Sequence, residues 1–317
     1  MQSDTKIRVG IVRGMAGDHY ESSLKNGGDI ISHLMENLAD KYKPVDIFVD
    51  KDYIWHCGGL PVAPSDLAHK IDVAWNVSHP SLSNILTSLS IPNIRTSSFL
   101  SVLQNNRDFL KAHLKEIGLN MPRHIVLSVY QKDFSAQGRS ASGGDGSISE
   151  YAVKKAKEVF QKFGSPWIVR SFTPEPDMGV HLAKTFSQLV SAIEDGLVHE
   201  TSILVEESIL GKVSAVHSVS GFRGEDIYTF PPMNVFGEFS VSEKEKLISL
   251  AKVLHKHMGA KHYLKSIFVL HPRGRVYLLS IDSAPNLKPN STFHQVCESV
   301  GAKAHHVVDH ILERALS

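Results

Sequence analysis

The most constraining feature of the sequence is a pair of apolar runs, YLKSIFVLH and RVYLLSID, that flank the tripeptide PRG at residues 272–274. Proline followed by glycine is typical of a tight turn, so the pattern predicts a β-hairpin. Because alternate residues of a strand lie on one face of a sheet, Lys265 and Ile267 share a face of the first strand, and Ser280 and Asp282 share a face of the second. The second strand therefore ends in polar side chains, a common place for a functional site.

The first part of the chain alternates between strand and helix patterns. Apolar residues alternate in KIRVGIV at residues 6–12, and they recur at helical spacing between residues 30 and 38. Two further short apolar runs lie at residues 45–50 and 71–77. Strands that alternate with helices are typical of a parallel sheet, so we expect a parallel α/β unit at residues 1–95.

A second, central unit is expected at residues 96–182. Its expected elements are a helix at 105–118 and strands at 124–130 and 166–172. Residues 135–149 between them are rich in glycine and serine, which is typical of a mobile surface loop. A loop that cradles phosphate is the sharper alternative, although no P-loop or dinucleotide-binding spacing is present.

The third unit is expected at residues 183–317. Strand patterns at 202–209 and 212–219 precede the hairpin, and Ser242 with Glu245 predicts a capping box at the start of the next helix. A long helix is expected from about residue 293 to 316. These elements predict an antiparallel sheet with helices, and the whole chain is therefore predicted to be α/β (α+β) in class.

Charge and composition argue against several classes of partner. The 317 residues carry a formal net charge of +1, whereas nucleic-acid and membrane-surface binding require a strong basic bias. No stretch approaches the roughly 18 apolar residues of a membrane span. Cys57 and Cys297 have no metal or redox spacing, so we expect free thiols in a reducing, cytoplasmic setting. His306 and His310 are four residues apart on a predicted helix, where a solvated face is favoured over a metal pair.

Several motifs in a fixed order resemble the D-alanine–D-alanine ligases, a family of ATP-grasp enzymes with three subdomains. They are SSLKNGG, IPNIRTSSFLSVLQNNRDFLKAHLKEIGL, GSPWIVRSF followed by MGV, ILVEESILG and YLLSIDSAPNLKPNS, and the resemblance covers nearly the whole chain. The resemblance implies ATP and Mg²⁺ as cofactors and a D-amino acid as substrate. It also implies D-alanine ligation for peptidoglycan precursor synthesis in the cytoplasm, and a homodimer.

The resemblance also implies roles for individual residues. Lys265 and His19 take catalytic positions, and Asp282 takes a position that binds metal. Nucleotide-binding positions fall on Arg107, Arg170, Glu206, Glu207 and Ile209. Substrate-binding positions fall on Glu21, His79 and Ser291.

The sequence departs from the family pattern where metal and phosphate would bind. Ile267 and Ser280 stand where the family has an Asp and a Glu that bind Mg²⁺, and Asp282 stands where it has an Asn. The family's phosphate loop of glycine and serine reads TPEPDMG at residues 173–179, whose prolines lack an N–H donor and whose aspartate repels phosphate. The family's active-site lid is deleted between residues 235 and 240. Such a lid normally excludes water from the reacting groups.

Three further substitutions fall on nucleotide-binding positions. Arg107 and Arg170 replace two lysines of the family, which keeps the charge but exchanges a point charge for a planar fork. Val213 stands where the family has a glutamate that binds ribose. Each candidate also has a plain structural interpretation: the two arginines as surface ion-pair residues, and Asp282 as the cap of a strand end.

Two hypotheses of different class follow. The combined losses favour an ATP-grasp protein that is catalytically impaired or inactive and acts as a binding or regulatory protein. The alternative is an active ATP-dependent carboxylate–amine ligase of the D-alanine–D-alanine type whose metal site is altered.

Overall fold

The chain packs into two compact units. The structure, a computed structural model, describes residues 6–17, 20–94, 98–128, 146–171, 179–199 and 202–317. The first unit joins Met1–Asn120 to Gly211–Ser317, and the second unit is Met121–Leu210. The subdomain boundaries predicted near residues 95 and 182 stay predictions. Within the described ranges, no helix is both long and apolar enough to cross a membrane.

The helices and strands take up most of the described residues. The strands are β1 (Ile7–Gly14), β2 (Tyr42–Val49), β3 (Trp55–Cys57), β4 (Leu60–Pro61), β5 (Val73–Asn76), β6 (Asn93–Ile94), β7 (His124–Ser128), β8 (Trp167–Ser171), β9 (His181–Ala183), β10 (Ser202–Glu207), β11 (Lys212–Ser220), β12 (Ile227–Thr229), β13 (Met233–Phe236), β14 (Tyr263–Leu270) and β15 (Val276–Asp282). The helices are α1 (Tyr20–Asn37), α2 (Pro80–Ser88), α3 (Ser98–Asn105), α4 (Arg107–Glu116), α5 (Gly146–Lys162), α6 (Phe186–His199), α7 (Val241–His257), α8 (Thr292–Ser299) and α9 (Ala304–Leu316).

The N-terminal part of the first unit is the parallel α/β sheet that the alternating patterns predicted. Its strand order is β4-β3-β2-β1-β5-β6, in which β1, β2, β5 and β6 run parallel and β3 and β4 form an antiparallel edge. Helix α1 packs against β1 and β2, and α2 packs against β5 and β6. Because β2 and β5 flank β1 on opposite sides, a crevice is expected at the C-terminal end of β1.

The C-terminal part of the first unit is an antiparallel sheet. Strand β11 pairs with β14 along one side and with β12 and β13 along the other, while β14 also pairs with β15. The turn between β14 and β15 contains Gly274 at a φ of +77°, a left-handed conformation that glycine adopts without steric cost. The backbone N–H of His271 donates to the carbonyl of Arg275 across this turn. The predicted hairpin is therefore confirmed.

Two details of the helices differ from the prediction. The capping box of α7 uses Ser240 and Glu243, because the chain leaves β13 at Phe236 and has already begun the helix at Val241. The predicted pair, two residues later, has the same spacing but lies inside the helix. The long C-terminal helix is in fact two helices, α8 and α9, and Gly301 between them has a φ of +68°, which is incompatible with a continuous helix.

Helices α8 and α9 contribute to a hydrophobic core shared by the two sheets of the first unit. Phe293 of α8 and Ile311 of α9 are buried together with Ile11 of β1 and Tyr263 of β14. On α9, the ring of His310 lies 2.9 Å from the carbonyl oxygen of Ser220, within hydrogen-bond distance. The predicted solvated face is thus wrong for His310, because its ring is part of this packing.

The second unit is a small antiparallel sheet with two helices. Its strand order is β7-β10-β8-β9. Buried residues of α5 and α6, among them Ala156 and Ile193, pack with Val169 and Val205 of the sheet. Most of the glycine- and serine-rich stretch predicted as a loop lies outside the described residues, but residues 146–149 form the first turn of α5.

Candidate functional site

Three residues form a polar row across the antiparallel sheet. Lys265 of β14 lies opposite Asp282 of β15 and, on its other side, opposite His217 of β11. Directly opposite side chains in antiparallel strands share a face, with Cβ atoms about 4.5–5.5 Å apart. We call His217, Lys265 and Asp282 the Lys265 row.

A second row lies next to it on the same face. Ile267 of β14 is opposite Ser280 of β15 and opposite Ala215 of β11. These three residues, the Ile267 row, are two positions along each strand from the Lys265 row, so both rows face the same way. The face assignments made from the sequence for Lys265 with Ile267, and for Ser280 with Asp282, are confirmed.

The two rows do not fit the Mg²⁺ that the family resemblance implies. Mg²⁺ requires oxygen ligands in octahedral geometry and is bound mainly by carboxylates, phosphate oxygens and water. Within the two rows, Asp282 supplies a carboxylate, Ser280 offers a neutral hydroxyl, and Ile267 puts a branched hydrocarbon where a ligand would stand. One Asp282 oxygen also accepts the backbone N–H of Ala284 at 3.0 Å, which closes the turn after β15.

The charges of the Lys265 row act on one another. The carboxyl of Asp282 stands among many protein atoms, and this loss of hydration raises its pKa, whereas the Ala284 N–H and the Lys265 charge lower it. The side chain nevertheless keeps an exposed face, so it remains accessible to a ligand from solvent. Burial and the charge of Lys265 lower the pKa of His217 to about 3. His217 is therefore a neutral member of the row, with a ring nitrogen 2.7 Å from the Tyr263 hydroxyl.

Arg107 lies against the hairpin in the same unit. It is the first residue of α4, its side chain is buried, and its Nη1 donates to the backbone carbonyl of Leu279 at 2.5 Å. Leu279 lies at a bulge of β15, where the register with β14 shifts. The structure thus brings Arg107 next to Ser280, and part of its guanidinium is already used to hold the backbone there.

Arg170 and Glu206 meet in the second unit. Arg170 of β8 donates from Nε to Oε2 of Glu206 on the neighbouring strand β10, at 3.0 Å. Glu206 is buried, while the arginine side chain keeps about one third of its surface exposed. Burial lowers the pKa of Arg170 from its usual value, although the group stays protonated at neutral pH. Two predicted nucleotide-binding residues therefore form an ion pair with each other.

Glu207 and Ile209, at the end of β10, complete the nucleotide-binding positions. Arg123 donates from Nε and Nη2 to the two carboxylate oxygens of Glu207, at 2.9 and 2.8 Å. Such a bidentate pair is geometrically specific and stronger than a neutral hydrogen bond. Ile209 is half-buried just beyond the strand. Arg123 was not predicted from the sequence, because its pairing with Glu207 depends on the antiparallel register of β7 with β10.

The predicted substrate residues lie at helix starts of the first unit. Glu21 is exposed in the first turn of α1. The ring of His79 caps α2 by accepting the N–H of Ser81 at 3.2 Å, and the hydroxyl of Ser291 caps α8 and donates to the carbonyl of Asn286 at 2.7 Å. His79 and Ser291 thus have structural roles, whatever they bind. The catalytic candidate His19 lies outside the described residues.

At the C-terminal end of β1, where a crevice is expected, the backbone of Gly14 is held by several close contacts. Gly14 has a φ of +91°, and a Cβ atom there would lie 2.3 Å from the carbonyl oxygen of Val49. Its N–H donates to the hydroxyl of Ser23 on α1 at 3.0 Å, and its carbonyl accepts the hydroxyl of Ser78 at 2.6 Å. Ser23 is the second serine of the SSLKNGG motif, so this motif helps to hold the end of β1.

Two segments were expected from the sequence to lack the family's phosphate-covering features: the TPEPDMG stretch and the connection after β13. The structure describes the second of them. Residues 172–178, which include most of the TPEPDMG stretch, lie outside the described residues. Four residues, 237–240, connect the end of β13 to the start of α7. Val213 lies on β11 opposite Val269 and adds no polar group at the ribose-binding position. The connection after β13 is thus as short as the sequence predicted.

Comparison with known proteins identifies D-alanine–D-alanine ligases as similar. The ligase of Borreliella afzelii is 22% identical over 315 residues, spanning 90% of this chain and 82% of that protein. The crystal structure of D-alanyl-alanine synthetase A from Vibrio cholerae has a TM-score of 0.69 at 16% identity and covers 99% of both chains. The D-alanine–D-alanine ligase from Bacillus anthracis complexed with ATP has a TM-score of 0.65 at 18% identity, over 98% of this chain and 97% of that one.

No protein-family model matches the chain. The similarity nevertheless extends over nearly the full length, and the three sheets, one parallel with an antiparallel edge and two antiparallel, agree with the α/β class predicted from the sequence. The chain is therefore a divergent relative of the D-alanine–D-alanine ligases and has their α/β ATP-grasp fold.

Proposed function

We propose that this protein is a ligase-like ATP-grasp protein that is catalytically impaired or inactive and acts as a binding or regulatory protein. The proposal rests on one observation above all: Ile267 lies opposite Ser280, at two positions where the family resemblance implies carboxylate ligands. A hydrocarbon side chain and a hydroxyl do not offset the charge of Mg²⁺, which leaves Asp282 as the one carboxylate of the two rows.

The arginines at two predicted nucleotide-binding positions support the same conclusion. Phosphoryl transfer depends on positioned cations and metal ions that neutralise the charge of the phosphates. Arg107 is engaged with the Leu279 carbonyl, and Arg170 is paired with Glu206. Binding a phosphate would have to compete with these contacts, so a nucleotide gains less from each arginine than from a lysine whose ammonium is free to turn.

The proposed ligand is still a small anion-bearing molecule. Lys265, Arg107 and Arg170 retain positive charge at three positions where the resemblance implies a cation, which supports weak binding of a nucleotide or a D-amino acid without transfer. The proposal includes a reducing, cytoplasmic setting, which the two free thiols Cys57 and Cys297 support.

A turnover assay tests the proposal directly. The full-length protein is incubated with ATP, Mg²⁺ and D-alanine, and ADP release and D-alanyl-D-alanine are both measured. We expect neither above background. Dipeptide formation in the usual enzymatic range of about 1–10³ s⁻¹ would instead establish the alternative, an active ligase of peptidoglycan precursor synthesis with an altered metal site.

A further inference from the structure

Three side chains at the C-terminal ends of two helices of the first unit converge. His113 and Glu116 lie three residues apart in the last turn of α4, and His257 is the last residue of α7. One possible ligand atom from each lies within 4.8 Å of the other two. Within the ranges that the structure describes, no other group of at least three histidine, cysteine, aspartate or glutamate side chains converges in this way.

The spacing of the three side chains is close to that of a metal site. Oε2 of Glu116 lies 3.9 Å from Nδ1 of His113 and 3.7 Å from Nε2 of His257. A tetrahedral zinc ion with bonds of about 2.0–2.2 Å holds its ligand atoms roughly 3.3–3.5 Å apart. The two distances to Oε2 exceed this range by a few tenths of an ångström, and the histidine nitrogens, which lie within 4.8 Å of each other, would have to approach by up to about 1.4 Å.

A second observation points to a missing ligand at this place. Nε2 of His257 is shielded from solvent and has no hydrogen-bond partner among the described residues. Buried polar atoms normally have a partner, because leaving one unpaired is costly. The Glu116 carboxylate faces this nitrogen, but at 3.7 Å it is beyond hydrogen-bond distance. A cation between the two atoms would satisfy both.

The rings are also held in place. Phe99 of α3 packs edge-to-face against His113, with ring centroids 5.0 Å apart and an interplanar angle of 88°. The rings of His113 and His257 lie 5.7 Å apart. The ring of His113 therefore packs against two neighbouring rings, which limits how far it can turn away from Glu116.

We propose that His113, Glu116 and His257 form a binding site for a divalent transition-metal ion, with zinc as the expected occupant and water in the fourth position. Two imidazoles and one carboxylate form a donor set that zinc accepts, whereas Mg²⁺ prefers oxygen ligands. The ion would link the C-terminal ends of α4 and α7. Since α4 begins at Arg107, the ion would also fix the far end of the helix that carries this arginine.

Metal titration of the full-length protein tests the site. The protein is stripped with a chelator, dialysed, and titrated with zinc chloride by calorimetry. We expect one tight ion per chain and a zinc-dependent rise in melting temperature. Replacement of zinc by cobalt should give the visible absorption bands of a tetrahedral site. The absence of a tight ion would overturn the proposal.

Matched variants separate this site from weak binding to other histidines. His257→Gln and Glu116→Gln should each weaken the tight zinc event at least about tenfold, since even loss of a supporting partner can cost that much. His69→Gln and Glu36→Gln, which change exposed residues elsewhere in the first unit, should leave it unchanged. Glu116 is itself largely exposed, so its variant remains informative if His257→Gln fails to fold. Equal zinc affinity in the native protein and both cluster variants would refute the assignment.

Discussion

The Lys265 row and the Ile267 row occupy one face of the same antiparallel sheet and differ in chemistry. The first crosses three strands with two charged groups and a neutral imidazole, whereas the second crosses them with a methyl group, a branched hydrocarbon and a hydroxyl. The backbone is equally regular at both rows up to the bulge that follows Ile267. The fold therefore presents similar backbone at both rows, and the side chains alone decide that only the first row carries charged groups.

This contrast shows how a fold can persist while its chemistry changes. Ile267 and Ala215 are apolar residues of the paired strands, and neither brings a negative charge close to Asp282. The sheet is held by its ladder and by the cores on either side, neither of which requires a metal ion. The side chains at this position can therefore differ without loss of the fold, which is consistent with full-length similarity at low sequence identity.

The largest expected effect is a loss of stability at acid pH, to which His217 of the Lys265 row contributes. Burial lowers the pKa of His217 to about 3, and of His33, His255 and His262 to about 4. Because the folded pKa lies below the unfolded value, the unfolded chain binds more protons. The contribution of these neutral histidines to the free energy of unfolding is fully present above about pH 6.5. It is lost as the pH falls towards 4, by about 1.4 kcal/mol per pH unit for each histidine.

Urea unfolding at a series of pH values measures this effect. Between pH 6 and pH 4, the free energy of unfolding of His217→Gln should fall less steeply with falling pH than that of the native protein. The difference in slope should correspond to about one proton, even if the variant is less stable at every pH. If native and variant curves run parallel, the pKa of His217 is not lowered by folding, and the imidazole takes up a proton in the folded row as readily as in the unfolded chain.

The next effect concerns the arginine that supports the hairpin. Arg107→Met should lower the free energy of unfolding by about 2–3 kcal/mol, because it leaves the Leu279 carbonyl without this charged donor next to the Ile267 row. Arg273→Met, in the exposed turn of the same hairpin, should change it by less than about 0.5 kcal/mol. Similar losses in the two variants would mean that Arg107 does not hold β15 in place.

A repair variant tests whether the difference between the rows is what excludes metal. Ile267→Asp combined with Ser280→Glu places two carboxylates beside Asp282, with Lys265 opposite. We expect the variant to lose about 1–3 kcal/mol without metal, from repulsion and lost packing, and to recover part of this loss in millimolar Mg²⁺.

The matched control for the repair is the neutral pair Ile267→Asn with Ser280→Gln. It should lose stability through packing and show no response to Mg²⁺. Neither variant should release ADP with D-alanine, because the prolines and aspartate of the TPEPDMG stretch and the short connection after β13 are unchanged. A Mg²⁺ response in the neutral pair would show that metal binds elsewhere.

The smallest expected effect on stability is that of replacing Lys265, which tests whether its charge acts on the other two residues of the row. Lys265→Met removes a charge that lowers the pKa of both Asp282 and His217, so both pKa values should rise. The free energy of unfolding should change by less than about 1 kcal/mol, because the pair is partly exposed to solvent. Titration by nuclear magnetic resonance follows both groups, and Lys261→Met serves as the exposed control. Unchanged pKa values would mean that the three residues do not act on one another.

The sequence predicted the fold better than it predicted the site, for physical reasons. Hydrophobic periodicity and the turn at residues 272–274 are local signals, so they predicted the parallel sheet, the hairpin and the faces of β14 and β15. The cap of α7 was misplaced because Ser240 and Ser242 begin overlapping patterns of the same spacing, and only the exit of the chain from β13 decides between them. The break at Gly301 was missed because apolar residues continue at near-helical spacing across it.

The site depends on contacts between residues far apart in the chain. The Arg107 contact with Leu279, the pairing of Arg123 with Glu207 and the position of His217 opposite Lys265 all depend on strand register or tertiary packing. The resemblance to known ligases supplied candidate positions, but it did not reveal that two candidates, Arg170 and Glu206, would bind each other.

Titration calorimetry with ATP, in the presence and absence of Mg²⁺, tests the central claim most directly. The native protein and His113→Gln are compared, so that any ion bound by the cluster at the ends of α4 and α7 is recognised. We predict that ATP binding is weak and that its affinity is the same with and without Mg²⁺, because the Ile267 row offers no carboxylate to bridge the metal to the phosphates. A Mg²⁺-dependent gain of tenfold or more in ATP affinity, in both proteins, would contradict the claim that this hairpin has lost its metal site.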